Sequence, residues 1–358
     1  MGRVTTHRQP QSSESRPTGD RTFAGGVNFP RLGGGIHPSL PGSAPNILGK
    51  HDLQSHNHKP VVTYIEQVSD YWIVKDEGYG NALVIRTPWA NRYLELIAKH
   101  RIKIIRLDDF LGWHDSDISF LLDIPGIHGV DIMSDKVTDV SAIFRLKALK
   151  TLSLYCKAKM AGDFADLKHL QDIGLGWRSV YGSLFSLSHL KRINIIGYPD
   201  RDLTRWKVND DLSELCLESS RLETLNGIEC FRNLKWLDLF RCPKLESLDA
   251  ISEASFIEKV RIGRCSKRSD LAPIGKLSEL KELDIEDGGD IQSLAPIAKC
   301  RKLEVLRVAG KTTVLDGDFT PLAKMPKLRA VFFAPREHYS HTATELEKPQ
   351  TIRKHPRR

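Results

Sequence analysis

Few residues of this 358-residue chain have the type and spacing to do chemistry. His51, His56 and His58 lie close enough along the chain to share a metal ion, but no cysteine or carboxylate stands at a structural-site spacing beside them. They read as part of a polar segment. Cys242 and Cys265, 23 residues apart, suggest a disulfide or half of a metal site. His169 and His189 recur in the similar strings LKHL and LSHL and could stack as a ligand pair, although their surroundings read as polar surface. Asp284, Glu286 and Asp287 make an acidic run without a partnering acid or base at fixed spacing, so a solvated face is favoured over a general acid–base pair. No phosphate-cradling G-x-x-x-x-G-K-[ST], no dinucleotide G-x-G-x-x-G, no H-E-x-x-H and no G-x-S-x-G occurs. The chain is expected to be non-catalytic, without cofactor, metal or small-molecule substrate.

Composition says where structure should lie. Lys plus Arg exceed Asp plus Glu by eight, but residues 1–60 carry +4 and 336–358 carry +3, which leaves the body at about +1. Basic ends on a near-neutral body make contact with nucleic acid or an anionic surface a weak, tail-borne property. Residues 1–60 hold nine Gly, seven Pro and six Ser with only Phe23 and Phe29 as aromatics, too little apolar surface to offset ordering entropy, so they read as a disordered tail. Residues 336–358 read as a second, mobile basic tail. No run approaches the roughly 18–20 apolar residues of a membrane span, and no secretory leader precedes the body. With six scattered cysteines, a reducing cytoplasmic location is expected.

Residues 61–101 predict a cap. VVTYIEQ, DYWIVK and ALVIRT are β-rich runs broken by Val68-Ser69 and by a glycine-containing turn, as in a three-stranded meander. Thr87 offers an N-cap with Pro88 at the first helical position, and Tyr93, Leu94, Ile97 and Ala98 follow at helical spacing.

From residue 102 onward one pattern dominates. The six-residue string aliphatic-x-x-aliphatic-x-aliphatic begins at Ile102, Ile127, Leu149, Leu170, Leu190, Leu212, Leu234, Ile257, Leu280, Leu303 and Leu328, eleven registers spaced 20–25 residues apart. In extended chain the fourth and sixth positions face one side and the residues between them the other. One repeat cannot seal its own apolar face, so neighbours must stack into a parallel sheet.

The pattern resembles the leucine-rich repeat family over about residues 102–335. The return segments Leu271-Ala272-Pro273-Ile274, Leu294-Ala295-Pro296-Ile297 and Phe319-Thr320-Pro321-Leu322 are similar to the short-period bacterial internalin-like and SDS22-like types. The resemblance implies an α/β solenoid, a horseshoe whose concave face is the parallel sheet, with the meander and helix as N-terminal cap. It also implies an Asn, or a Cys, at the ninth position of each repeat, bonding turn backbone from inside. Here only Cys242 and Cys265 match, among Phe110, Asp135, Lys157, Arg178, Tyr198, Ser220, Gly288, Lys311 and Arg336, so the turns should be irregular. In that reading the two cysteines are reduced and inward-facing. No secretion signal and no appended catalytic domain are read in the chain, so neither internalin-type adhesion nor ligase activity is carried over.

The register makes Tyr155, Trp177, Trp236, Phe240 and Phe332 the aromatic candidates on the concave face, with Arg241, Arg261, Arg264 and Arg307 basic and Glu218, Asp238, Asp284, Glu286 and Asp287 acidic. Trp and Arg anchors dominate protein interfaces. A protein partner on this face is therefore expected. The alternative is an immunity or inhibitor protein that occludes the active site of one toxin or enzyme, steered by the mixed charge.

Overall fold

The aliphatic repeat becomes a ladder of parallel strands. The computed structural model describes residues 63–76, 78–265 and 270–347. Among the described residues, fourteen strands form one sheet in sequence order. Eleven of them are the repeat strands: β4 (Ile102–Asp108), β5 (Gly129–Met133), β6 (Thr151–Tyr155), β7 (Asp172–Gly176), β8 (Arg192–Ile196), β9 (Glu214–Glu218), β10 (Trp236–Phe240), β11 (Lys259–Gly263), β12 (Glu282–Glu286), β13 (Val305–Ala309) and β14 (Ala330–Phe333). Neighbours pair in parallel and in register, so Leu237 lies beside Val260 and Ile262 beside Ile285. The first, fourth and sixth residues of every repeat are buried, with only Phe333 at the last strand left half-buried. One-sided burial of an extended chain fixes that register, because a slip of one residue would turn every leucine to solvent.

The returns are short 3-10 turns. Proline starts several of them: Pro273 precedes the turn Ile274–Lys276, Pro296 opens Ala295–Lys299 and Pro321 lies in the first turn of a short helix, Thr320–Ala323. Its missing N–H falls where no intrahelical partner exists.

The cap is part of the same sheet. β1 (Tyr64–Gln67), β2 (Tyr71–Asp76) and β3 (Gly80–Ile85) form the antiparallel meander, and β3 then runs parallel to β4. The intervening helix α1 spans Arg92–Lys99 and starts later than the Thr87-Pro88 signal predicts. The Thr87 hydroxyl is 2.5 Å from the Tyr93 hydroxyl instead of capping helix amides, and Asn91 precedes the helix without a side-chain cap. Trp89 stacks on Phe120 at 4.1 Å, which pins the helix entry to the first return segment. On the sheet face opposite the main core, Trp72, Val74, Ala82, Val84 and Ile104 form a second buried cluster with Tyr64, Tyr79 and Leu111 against it.

One expectation about the ends needs correction: residues 336–347, read as mobile tail, fold onto the last repeat. The Tyr339 ring lies 4.7 Å from Phe319 and its hydroxyl accepts from Val314 N, Ser340 Oγ accepts from Phe319 N, and Leu346 is buried on helix Ala343–Leu346, which Thr342 and Glu345 close with a capping box. A terminal repeat needs such a seal over its apolar edge. Residues 348–358, the 1–60 tail and its histidines lie outside the described residues.

The turns are irregular, as expected. The ninth position carries an inward side chain at Tyr198, Cys242 and Cys265 and a buried glycine at Gly288; Ser134, Cys156 and Ser219 do the same job from the eighth position and Thr312 from the tenth. Phe110, a ninth-position residue, is 87% exposed. Ser219 shows the mechanism: its hydroxyl donates to Tyr198 O and accepts from the Arg221 and Leu222 amides. The Cys242 and Cys265 thiols contact Phe240 O at 3.4 Å and Gly263 O at 3.3 Å and form no disulfide. The hydrogen bond with the Cys265 thiol, and after it burial, raise the Cys242 pKa and hold that thiol protonated.

Candidate binding face

The residues between the buried leucines form columns across the open side of the sheet. The middle column runs Asp238, Arg261, Asp284, Arg307, Phe332 from β10 to β14, each directly opposite the next. Charge alternates along it. Arg261 Nη1 lies 3.6 Å from Asp238 Oδ2 and its Nη2 donates to Glu286 Oε2 at 3.1 Å, while Arg307 Nη1 lies 3.8 Å from Asp284 Oδ2 and its guanidinium 4.9 Å above the Phe332 ring. The column beside it starts at Trp236, over which Lys259 Nζ sits at 4.8 Å while reaching Glu282 Oε2 at 3.2 Å.

At the strand exits, Phe240 is the centre of a cationic ring. The guanidinium carbons of Arg241, Arg261 and Arg264 lie 5.1, 5.6 and 5.7 Å from its centroid. Phe240 can lie over β11 because Gly263 has no side chain; a Cβ there would sit 2.6 Å from the ring. Arg241 also pairs with Glu218 at 3.3 Å and Arg264 with Asp287 at 3.7 Å.

The backbone beneath this cluster is strained. Arg241, Arg264 and Asp287, the eighth residues of three successive repeats, hold left-handed φ values of 49°, 54° and 48°, where Gly197 and Gly310 serve in other repeats. A side chain there costs roughly 1–2 kcal/mol relative to glycine. Three such residues in a row place large charged groups at one spot against that cost, and strain of this kind collects at functional sites.

Two carboxylates of the face are buried, Asp238 at 6% and Asp284 at 3% exposure. Each has an Oδ1 atom without a hydrogen-bond partner, and Trp236 Nε1 and Arg261 Nε are likewise buried without one. Burial pushes Asp284 up to about 6 against the pull of Arg307 and Arg261, and raises Asp238 in the same direction.

The remaining expected site residues are placed differently. Trp177 turns under the sheet exit and packs on Tyr181 and on Phe185, 5.0 Å between centroids, because its repeat has large rings in the return segment that close over it. Tyr155 remains on the open side but its hydroxyl is buried and unpaired, and burial drives its phenol well above the usual range. A contact that sequence spacing did not signal dominates this half. Tyr79, in the β2–β3 turn, donates to Asp172 Oδ2 on β7 at 2.5 Å, and Asp172 is ion-paired with Arg192 on β8. Tyr79 of the cap thus reaches β7 and β8, while the alternating charges around Trp236 and Phe240 fall on β9–β14. Of the histidine pair, His169 is exposed and His189 half-buried. Among the described residues no group of three His, Cys, Asp or Glu could hold a metal ion, and no helix is long and apolar enough to cross a membrane.

No protein-family model and no curated protein matches the sequence. Among solved structures the chain is similar to an internalin from Listeria monocytogenes, at 18% identity over 66% of this chain and 68% of that one, with a TM-score of 0.50. Weaker similarities link it to an internalin C2 of the same organism, at 19% identity, 55% and 76% coverage and a TM-score of 0.38, and to a leucine-rich repeat protein of Leptospira interrogans, at 14%, 70% and 81%, and 0.32. At 18% identity the first of these establishes the fold and nothing finer.

Proposed function

We propose that this chain, whose fold is the leucine-rich repeat solenoid, is a non-catalytic interaction module that binds a protein partner on the open face of β9–β14. The observation that carries the reading is the Phe240 cluster. Three arginines surround one aromatic ring, and two of them, Arg241 and Arg264, stand on strained left-handed backbone that glycine would occupy without cost. Aromatic and arginine side chains at the centre of a rigid sheet are the residues that dominate interface energetics, since they combine large contact area with donors that survive desolvation. Six strands about 4.8 Å apart give a platform wide enough for the roughly 800 Å² that each partner contributes to a standard interface.

The test is affinity capture from native lysate at moderate salt, comparing the intact chain, a Trp236→Ala, Phe240→Ala double variant and a Phe256→Ala control. Phe256 is 54% exposed and lies in a return segment, between β10 and β11. Each chain is first shown to be folded by circular dichroism. Capture of one specific protein by the intact and control chains, with at least tenfold less on the double variant, is the expected result. Equal capture by all three would overturn the reading.

A further inference from the structure

We propose that the strand-entry edge of β4–β8 is a docking ridge for an extended acidic segment of a protein, a run of aspartates or glutamates. That surface lies outside β9–β14 and needs nothing from the face proposed above.

The second residue of each repeat belongs to one column along this edge, because a main-chain bond joins it to the next: the His128 amide donates to Lys103 O, Lys150 to His128 O, Gln171 to Lys150 O and Lys191 to Gln171 O. In the later repeats the same column runs Lys235, Glu258, Lys281, Glu304, Arg329 and neutralises itself, with Lys281 bonded to Glu258 at 2.6 Å and Arg329 to Glu304 at 3.2 Å. From Lys103 to Lys191 the column holds no acid, and Lys168, exposed two residues before Leu170, adds to its charge. Among the described residues the ion pairs of this half are Arg106 with Asp131, Lys157 with Asp135 and Arg192 with Asp172, which leave Lys103, Lys150, Lys168 and Lys191 without a carboxylate. Lys103 Nζ reaches only the Gly126 carbonyl, at 3.3 Å. His128 registers the result: desolvation first, then Lys150 and Lys103, hold its imidazole below the usual value. A row of like charges without counter-ions in the fold attracts an anionic chain and steers its approach.

Shape selects among anions. Four strand spacings separate Lys103 from Lys191, about 19 Å at roughly 4.8 Å each, the length of about six residues of extended chain. The row is narrow. The 3-10 turns that lead into β5 and β7 end on exposed Asp123 and Asp166, which repel a polyanion as broad as a nucleic-acid duplex or a bilayer. No aromatic residue stands in the row to stack an unpaired base. A single extended chain of carboxylates matches both the width and the length.

The experiment is fluorescence anisotropy on the full-length chain with two labelled probes, a ten-residue polyglutamate and a ten-nucleotide oligothymidylate of nearly equal charge. The Lys168→Glu, Lys191→Glu double variant changes two exposed ridge positions, and Lys276→Glu, Lys324→Glu makes the same charge change at two exposed positions in later return segments. Each chain is first shown to be folded by circular dichroism. Polyglutamate is expected to bind the wild type, the control and the Trp236→Ala, Phe240→Ala variant alike, to bind the ridge variant at least tenfold more weakly, and to weaken as salt rises from 50 to 300 mM. The oligothymidylate should bind the wild type at least tenfold more weakly than the peptide. No binding of polyglutamate to the wild type would overturn the proposal, as would equal binding to ridge variant and control, which would assign the peptide to the basic ends of the chain. Oligothymidylate binding as tight as the peptide's would make the ridge a nucleic-acid contact and overturn the acidic-segment reading. Loss of the peptide on Trp236→Ala, Phe240→Ala with the ridge variant unaffected would place it on β9–β14 and also overturn the proposal.

Discussion

Gly227→Ala is expected to lower the stability of the solenoid by about 3 kcal/mol or more, the sum of a left-handed penalty and of overpacking against immovable backbone. Gly227 has φ 95° and stands immediately before the 3-10 turn Ile228–Cys230. A Cβ at this position would lie 2.4 Å from Leu203 C, 2.5 Å from Thr204 N and 2.6 Å from Leu203 O, all main-chain atoms of the preceding repeat. The same two repeats are tied by the Leu203 N–H, which donates to Asn226 O. Relief of the clash must therefore pry the repeats apart, and in a solenoid each repeat is stable only through its neighbours. Urea denaturation at neutral pH measures the effect. A midpoint within error of the wild type would mean that the turn relaxes freely and that inter-repeat packing is looser than described.

The repeats themselves were legible in the sequence, whereas the turns, the C-terminal seal and half of the site were not. Leu152 with Leu154, or Leu283 with Ile285, reveal themselves because one-sided burial imposes a strict alternation that recurs with every strand. The turn residue has no such constraint. Ser219 satisfies the same kind of turn backbone from the eighth position that Cys265 reaches from the ninth, so counting along the chain misassigns it. Trp177 was read outward by that same count, but rings in its own return segment draw it inward. The bond between Tyr79 and Asp172 joins residues 93 positions apart, and no local pattern encodes it. Residues 336–347 looked like tail because their polar composition hides the aromatic anchor Tyr339 and the single buried Leu346. The strain at Arg241, Arg264 and Asp287 also has no sequence signature beyond the absence of glycine where Gly197 and Gly310 use it.

Stability should fall as pH rises from about 4.5 to 7. Asp108 and Asp284 are 5% and 3% exposed and both are pushed up to about 6, chiefly by burial. Around Asp108 the Phe110 amide opposes the shift and Asp131 and Asp109 add to it; around Asp284, Arg307 and Arg261 oppose it and Glu286 and Asp238 add to it. With the folded-state value above the unfolded one, each group binds its proton more tightly in the native chain. The native state carries no penalty below the unfolded value and the full penalty above about 6. At about 1.4 kcal/mol per unit, each carboxyl destabilises the neutral-pH protein by roughly 2–3 kcal/mol relative to acid. Asp108→Asn, Asp284→Asn should therefore flatten the pH dependence of the urea midpoint and gain on the wild type steadily from pH 4.5 to 7. Parallel curves for the two proteins would show that these carboxyls ionise normally in the fold.

The most direct test of the face is hydroxyl-radical footprinting of the chain alone and in complex with the captured partner. Oxidation of Trp236, Phe240 and Phe332 should fall on binding, while Phe256 and Phe110, exposed at 54% and 87% away from the β9–β14 face, should oxidise equally in both states. Protection of Phe256 or Phe110 with the three face aromatics unchanged would place the partner elsewhere on the solenoid and contradict the account.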